Sequence, residues 1–210
     1  YWIFSTTWLV HLLDAWEHST GESLWERGQY RNWKYYLVHT MLPDGQTVVY
    51  GKKHNLFRMT RAEYQKVLDA RRGKTGAAAD SADWKVVTEE TQLTANGEAD
   101  YGWALREQNE SDDEAVKSAD RRKRASISWS HDSKRFTAER DDRRKVGDLW
   151  VIRSIGNKRP QLESYKYGLP GDVNVSQPEI GVYDLSAAKM VMLQSAGFKD
   201  QQMGLFSARQ

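Results

Sequence analysis

Residues able to do chemistry are plentiful in this chain, but few stand at spacings that would let them act together. The five histidines are isolated, with no His-Glu-x-x-His or His-x-His pattern, so neither a metal site nor a cofactor is expected. Asp112-Asp113-Glu114 lacks the spaced oxygens and the glycine of a calcium loop. A hydrolase serine sits on a sharp Gly-x-Ser-x-Gly elbow. Gly21-Glu22-Ser23-Leu24-Trp25 comes nearest, but it ends in tryptophan with no helical pattern behind it. Ser23 therefore reads as a turn serine, and no catalytic residue is assigned. The absence of cysteine excludes disulfides, thiolate zinc sites and a Cys nucleophile. Arg121, Arg122, Lys123 and Arg124 form a basic run that suits phosphate, yet acids flank it on both sides and a solvated turn is the plainer reading. Glu89-Glu90 lies in a strand pattern, where neighbours point to opposite faces, so surface ion pairing is expected there.

The elements that must position these residues are strands. Nine Trp and ten Tyr in 210 residues argue against disorder and suit sheets better than a helix bundle. Most of these rings read as core, and a sugar-binding role would rest on aromatic content alone. Net charge is only +2, with 31 basic and 29 acidic residues intermixed, so no large field draws in nucleic acid. No apolar run approaches the ~20 residues of a membrane span. Residues 1–13 lack the basic flank of a signal peptide. The chain begins with Tyr, which suggests a processed form or a piece of a longer polypeptide.

Residues 126–154 carry the clearest pattern. Ile127 and Trp129 alternate with serines, and His131-Asp132-Ser133 is a polar break. Phe136 and Ala138 return as a second strand, residues 141–145 form a charged turn, and residues 149–152 make a third strand. Three such strands predict an antiparallel meander, the unit of a β-propeller blade. Pro43-Asp44-Gly45 opens the same grammar earlier, with strands at residues 47–50 and 55–59 around a turn at residues 51–53. Asp44 and Asp132 are 88 residues apart, about two blades of the usual repeat. Either a further blade lies between them or one blade carries insertions, and the intervening segments favour insertions. Thr60-Arg61-Ala62-Glu63 is a capping box that starts one short helix ending at Gly73. Residues 76–82 read as a loop tip, residues 86–94 as a strand stopping at the hairpin dipeptide Asn96-Gly97, and residues 106–124 as a solvated or mobile charged loop. Further strands are expected at residues 162–167, 179–185 and 190–193. Residues 1–42 give only weak strand candidates at 2–4, 8–10 and 33–38.

Several segments in this order carry a family resemblance: Ser128-Trp129-Ser130-His131-Asp132-Ser133-Lys134-Arg135-Phe136, Arg143-Arg144-Lys145-Val146 with Asp148-Leu149-Trp150-Val151-Ile152, Arg159-Pro160 with Glu163-Ser164-Tyr165-Lys166-Tyr167, Leu169-Pro170-Gly171, and Gly181-Val182-Tyr183-Asp184-Leu185. Over residues 42–194 the chain resembles the N-terminal β-propeller domain of dipeptidyl peptidase IV-type serine peptidases of the prolyl oligopeptidase clan. His131 stands where that family usually has proline.

The resemblance implies an all-β fold of antiparallel β-propeller blades. Residues 1–210 would form part of a propeller, two to three blades with one short inserted helix. The C-terminal α/β-hydrolase domain would be a partner in the same polypeptide and is absent from this chain. It implies a non-catalytic role, gating the entry of peptide substrates with a free N-terminus, in a periplasmic or secreted enzyme. It also implies acidic side chains that hold the substrate amine shortly before the Trp129 strand. Glu107 and Glu110 are the candidates there, because Ala104 and Leu105 occupy the positions where an adjacent pair would stand. Open edges of a partial propeller predict a homodimer. The alternative function is a stand-alone propeller-like module that binds peptides or proteins without any hydrolase.

Overall fold

The computed structural model describes residues 45–106, 110–156, 158–195 and 197–198. The strand candidates before residue 42, Asp44, Ser23 and Glu107 lie outside these residues. The described residues belong to one unit, Thr40–Gln210.

The first sheet grows from a hairpin. Strand β1 (Thr47–Lys52) pairs antiparallel with β2 (Asn55–Thr60), and the short β3 (Thr91–Gln92) adds to β2. The hairpin turn is Lys53-His54, with φ of 49° and 65°. Two left-handed residues match the twist of the strands, but neither is the glycine or asparagine such a turn favours. Neighbours hold it in place: Lys53 N donates to Ala119 O at 2.7 Å, and Trp103 N donates to His54 O at 2.9 Å. The turn thus lies one residue beyond the expected one.

β1 is buried on both faces. Val48 and Tyr50 join Met59 in a cluster with Phe57 and Tyr64, while Val49 faces the main core. Helix α1 (Arg61–Arg71) starts where predicted, the Thr60 side chain accepting from Glu63 N, but the box is half-formed, the Glu63 carboxylate accepting instead from Glu89 N and Lys66 Nζ. Helix α2 (Gly76–Lys85) replaces the expected loop tip. Arg71 ties the two helices together through Asp80 and Asp83. Residues 86–90 do not extend β3, because Arg122 takes their polar groups. Its guanidinium bonds Val86 O, Thr88 Oγ1 and Glu90 as well as Asp83.

The second sheet has the order β4-β5-β8-β9, all antiparallel: β4 (Ser126–Trp129), β5 (Arg135–Asp142), β8 (Gln177–Asp184) and β9 (Lys189–Met192). The His131-Asp132-Ser133 break behaves as read, with Asp132 accepting from Lys134 N at 3.0 Å. The third strand of the expected meander does not stay in the sheet. β6 (Asp148–Arg153) pairs only with β7 (Gln161–Lys166) as a separate hairpin. β8 takes its place because it brings Ile180 and Tyr183, which bury, whereas β6 is exposed along its whole length.

One row crosses all four strands of this sheet: Trp129, Phe136, Tyr183 and Met190 in register. Trp129 meets Phe136 edge-on at 4.8 Å, and Phe136 stacks on Tyr183 at 5.2 Å. Val49 and Leu56 of the first sheet, together with Trp103 and Ala125, close the same core. Burying each such large side chain contributes about 1.5–3 kcal/mol.

Helix α3 (Asp112–Lys117) lies where a solvated loop was expected. The missed signal is a complete capping box, in which Ser111 and Glu114 bond reciprocally. The described residues therefore hold three helices rather than one, and their strands form three sheets. The fold is all-β in its framework, with no closed propeller among the described residues.

Candidate functional site

A cavity of about 410 Å³ opens between the segment that follows Gly97, helix α3 and the end of β5. Each wall is fixed by a local cause. The segment is pinned to the first hairpin because Gly97 and Gly102 have no side chain: a Cβ on Gly97 would stand 2.0 Å from His54 O. It then turns at Ala99-Asp100, Asp100 taking φ of 59° while Tyr101 N donates to Glu98 O at 3.0 Å. The turn thus falls three residues later than the Asn96-Gly97 dipeptide would put it.

Arg140 locks this wall to β5. Its side chain is 2% exposed and pairs with Glu179 at 2.9 Å. Its guanidinium stacks on Tyr101 at 3.5 Å and on Trp103 at 4.4 Å, and it bonds the Tyr101 hydroxyl. Burial and the Glu179 carboxylate push the Tyr101 phenol above its ordinary range.

The cations on the cavity wall are committed. Arg106 bridges Asp100 at 3.2 Å and Asp112 at 2.6 Å, and its Nε donates to Glu110 O. Lys123 donates to the Glu110 carboxylate at 2.8 Å. Arg143 donates to Lys166 O at 2.6 Å.

Two carboxylates on the wall are not committed in this way. Strand alternation puts Glu139 and Asp141 on the same face of β5, about 7 Å apart along the chain. Glu139 accepts from Ser126 Oγ at 3.2 Å, and among the described residues no cation pairs with either acid. Burial, then the neighbouring Asp141 charge, pushes the Glu139 carboxyl above its ordinary range. Glu110 and Glu179 already neutralise Lys123 and Arg140. The cavity lining itself is balanced, with Asp100, Asp112, Glu139 and Asp141 against Arg106, Lys123, Arg140 and Arg143. Among the described residues no cluster of three or more His, Asp or Glu could hold a metal.

The residues singled out in the sequence fall as follows. Glu110 is 8% exposed, and its carboxylate accepts from Lys123 and from Ser118 Oγ. Glu107 is outside the described residues. Glu90 is ion-paired as read, with Lys52 and Arg122, but in a half-buried network rather than at the surface. Arg121 stacks on Trp84 at 3.5 Å, and Arg122 and Lys123 are held by acids, so the basic run is dispersed into separate pairs. Sequence reasoning missed Glu139 and Asp141, although their i, i+2 spacing beside the alternating Phe136 and Ala138 was the available signal.

No family model matches this chain, and no curated protein matches it. Among solved structures it is similar to the crystal structure of Porphyromonas gingivalis dipeptidyl peptidase 4, at 18% identity and a TM-score of 0.47. The match covers 74% of this chain and 18% of that one. Among the described residues no helix is long and apolar enough to cross a membrane.

Proposed function

We propose that this chain is the non-catalytic, substrate-gating β-propeller portion of a dipeptidyl peptidase IV-like serine peptidase acting on peptides with a free N-terminus. One observation carries the reading. Two segments of the sequence resemblance, residues 128–136 and 181–185, meet in one up-and-down four-stranded sheet, where Trp129, Phe136 and Tyr183 form a single packed row. Four antiparallel strands of this kind are the unit of a propeller blade. The hairpin β6–β7 and helices α1 to α3 are then insertions between blade strands.

The cavity supplies the place where a peptide would enter. It has the size of a small-ligand site, and two of its carboxylates, Glu139 and Asp141, have no ion-pair partner among the described residues. In this reading the peptide amine is received by the segment that carries Glu107 and Glu110, next to the cavity residues Arg106 and Lys123. Lys123 already presents an ammonium to Glu110, so a substrate amine at this carboxylate displaces it. The partner is an α/β-hydrolase domain of the same polypeptide, and the enzyme is periplasmic or secreted.

The test is calorimetric. A short peptide with a free N-terminus and the same peptide acetylated are titrated into the polypeptide that carries this chain. The reading expects acetylation to weaken binding at least about tenfold, since it removes one charge-assisted hydrogen-bonded ion. Equal affinities would contradict it.

A further inference from the structure

An asparagine followed by any residue but proline, and then by serine or threonine, is the acceptor pattern for N-linked glycans. The chain carries it twice, at Asn109-Glu110-Ser111 and at Asn174-Val175-Ser176. Each also has an acid two positions ahead, Glu107 and Asp172. The sequence does not choose between them. Their surroundings do. Ser111 is 3% exposed, its hydroxyl caps helix α3, and Glu110 beside it is ion-paired with Lys123. The second acceptor lies on the connection from β7 to β8, and both Asn174 and Ser176 are exposed.

The connection is shaped to present them. A tight turn closes at Leu169–Asp172: Asp172 N donates to Leu169 O at 3.0 Å, Leu169 N donates to the Asp172 carboxylate at 2.8 Å, and Gly171 takes φ of 93°. Val175 then lies against Gly168, where a Cβ would stand 3.6 Å from Val175 Cγ1. Val175 is half-buried while its two neighbours are exposed, so the Asn174 amide and the Ser176 hydroxyl both reach solvent. Among the described residues the Asn174 side chain has no hydrogen bond to give up. The apolar side chains nearby supply a second reason. Tyr167 and Leu169 are 54% exposed and Val173 95%, a run of apolar surface that a sugar chain at this point shields from water.

We infer that Asn174 is a modification site and carries an N-linked glycan. The transfer is a substitution at a sugar carbon. The Asn174 side-chain nitrogen bonds to C1 of an oligosaccharide carried on a polyprenyl pyrophosphate. The bond from C1 to the pyrophosphate oxygen breaks, the lipid pyrophosphate leaves with the electron pair, and the nitrogen sheds one proton. Nothing is oxidised or reduced. The sugar donor and its transferase act on exported chains, so the inference rests on the periplasmic or secreted part of the proposed function.

Mass spectrometry of the native polypeptide, isolated from its own source and cut with trypsin, tests this. Residues 167–189 fall in one peptide, because no lysine or arginine stands between Lys166 and Lys189. That peptide is expected to be heavier than its sequence by a whole set of sugar residues, with the added mass on Asn174. The shift should vanish in Asn174→Gln and in Ser176→Ala made in the same host, and persist in Ser176→Thr. Both positions are exposed, so these variants keep the fold. The peptide of residues 107–117, which holds Asn109, is expected at its sequence mass. Residues 167–189 found only at their sequence mass would overturn the inference. Sugar on Asn109 in place of Asn174 would overturn it too, because the choice between them rests on exposure. Fluorophosphonate labelling of the same preparation reads the peptidase proposal separately. A labelled but sugar-free polypeptide removes the glycan alone, and a sugar-bearing, unlabelled one removes the peptidase alone.

Discussion

Glu139 is the side chain whose chemistry is most exposed to test. Its ordinary carboxyl value is 4.5, and burial and Asp141 raise it in the folded protein. The folded state therefore holds this proton more tightly than the unfolded chain does. The group favours folding below its ordinary value, and that contribution is lost as pH rises through the raised value. Glu139→Gln removes a desolvated charge, so at neutral pH its Tm should equal or exceed that of the parent. The gap should close as pH is lowered through the glutamate range. A thermal melt series across that range checks this, and a lower Tm for Glu139→Gln at neutral pH would contradict it. Arg140 behaves in the opposite way. Removing it leaves Glu179 and the Tyr101 hydroxyl without their cation, so Arg140→Ala is expected to cost about 3 kcal/mol in denaturant unfolding. Lysine should not rescue it, because the site uses a planar group stacked on two rings. Little of this could be read from the sequence. Glu139 and Arg140 are adjacent letters, and only the strand they share turns them to opposite faces, one without an ion-pair partner and the other buried against Tyr101, Trp103 and Glu179.

Elements were more legible than residues. Alternation identified β1, β2, β4, β5, β7, β8 and β9 to within a few residues, because half-buried strands write burial into every second position. Thr60-x-x-Glu63 announced α1, and Thr60→Ala should destabilise by about 1 kcal/mol in a denaturation curve. The failures have physical causes. α2 is a run of small residues with almost no amphipathic signal and is stabilised by Arg71 and Arg122 reaching Asp83 from elsewhere. α3 hid inside a charge-dense stretch that looked solvated, although Ser111 and Ser118 are buried there. The register of β6 was beyond reach, since Leu149, Trp150, Val151 and Ile152 read as a core strand whether or not anything covers them. The close approach of residues 97–104 to the first hairpin is likewise visible only in three dimensions. Gly97→Ala would drive a Cβ against the His54 carbonyl, and Gly51→Ala would place one 2.4 Å from Ala104 Cα. Each is expected to destabilise by about 1–3 kcal/mol and to loosen the cavity wall, read as lost Tm together with weakened peptide binding.

At the scale of the whole molecule, the hairpin β6–β7 is the feature a monomer would least be expected to keep. Trp150 is 71% exposed, Ile152 67% and Leu162 65%, all on one face of a two-stranded ribbon with little charge to blunt it. The homodimer expected from the sequence would use this ribbon. The sedimentation coefficient should rise with protein concentration, and the double substitution Trp150→Asp, Ile152→Lys should abolish the rise while leaving the second sheet folded. A concentration-independent monomer would contradict the homodimer expectation. The framework that carries the ribbon was legible in outline as antiparallel sheets with insertions, because residues 126–185 write a repetitive strand grammar. The central claim concerns what the framework serves, a serine peptidase. It is tested most directly by labelling native extract with a fluorophosphonate probe and blotting for this segment. The account predicts a labelled band well above 24.3 kDa, in which the propeller portion and a reactive serine share one polypeptide. An unlabelled band near 24.3 kDa would contradict it and leave a free-standing binding module.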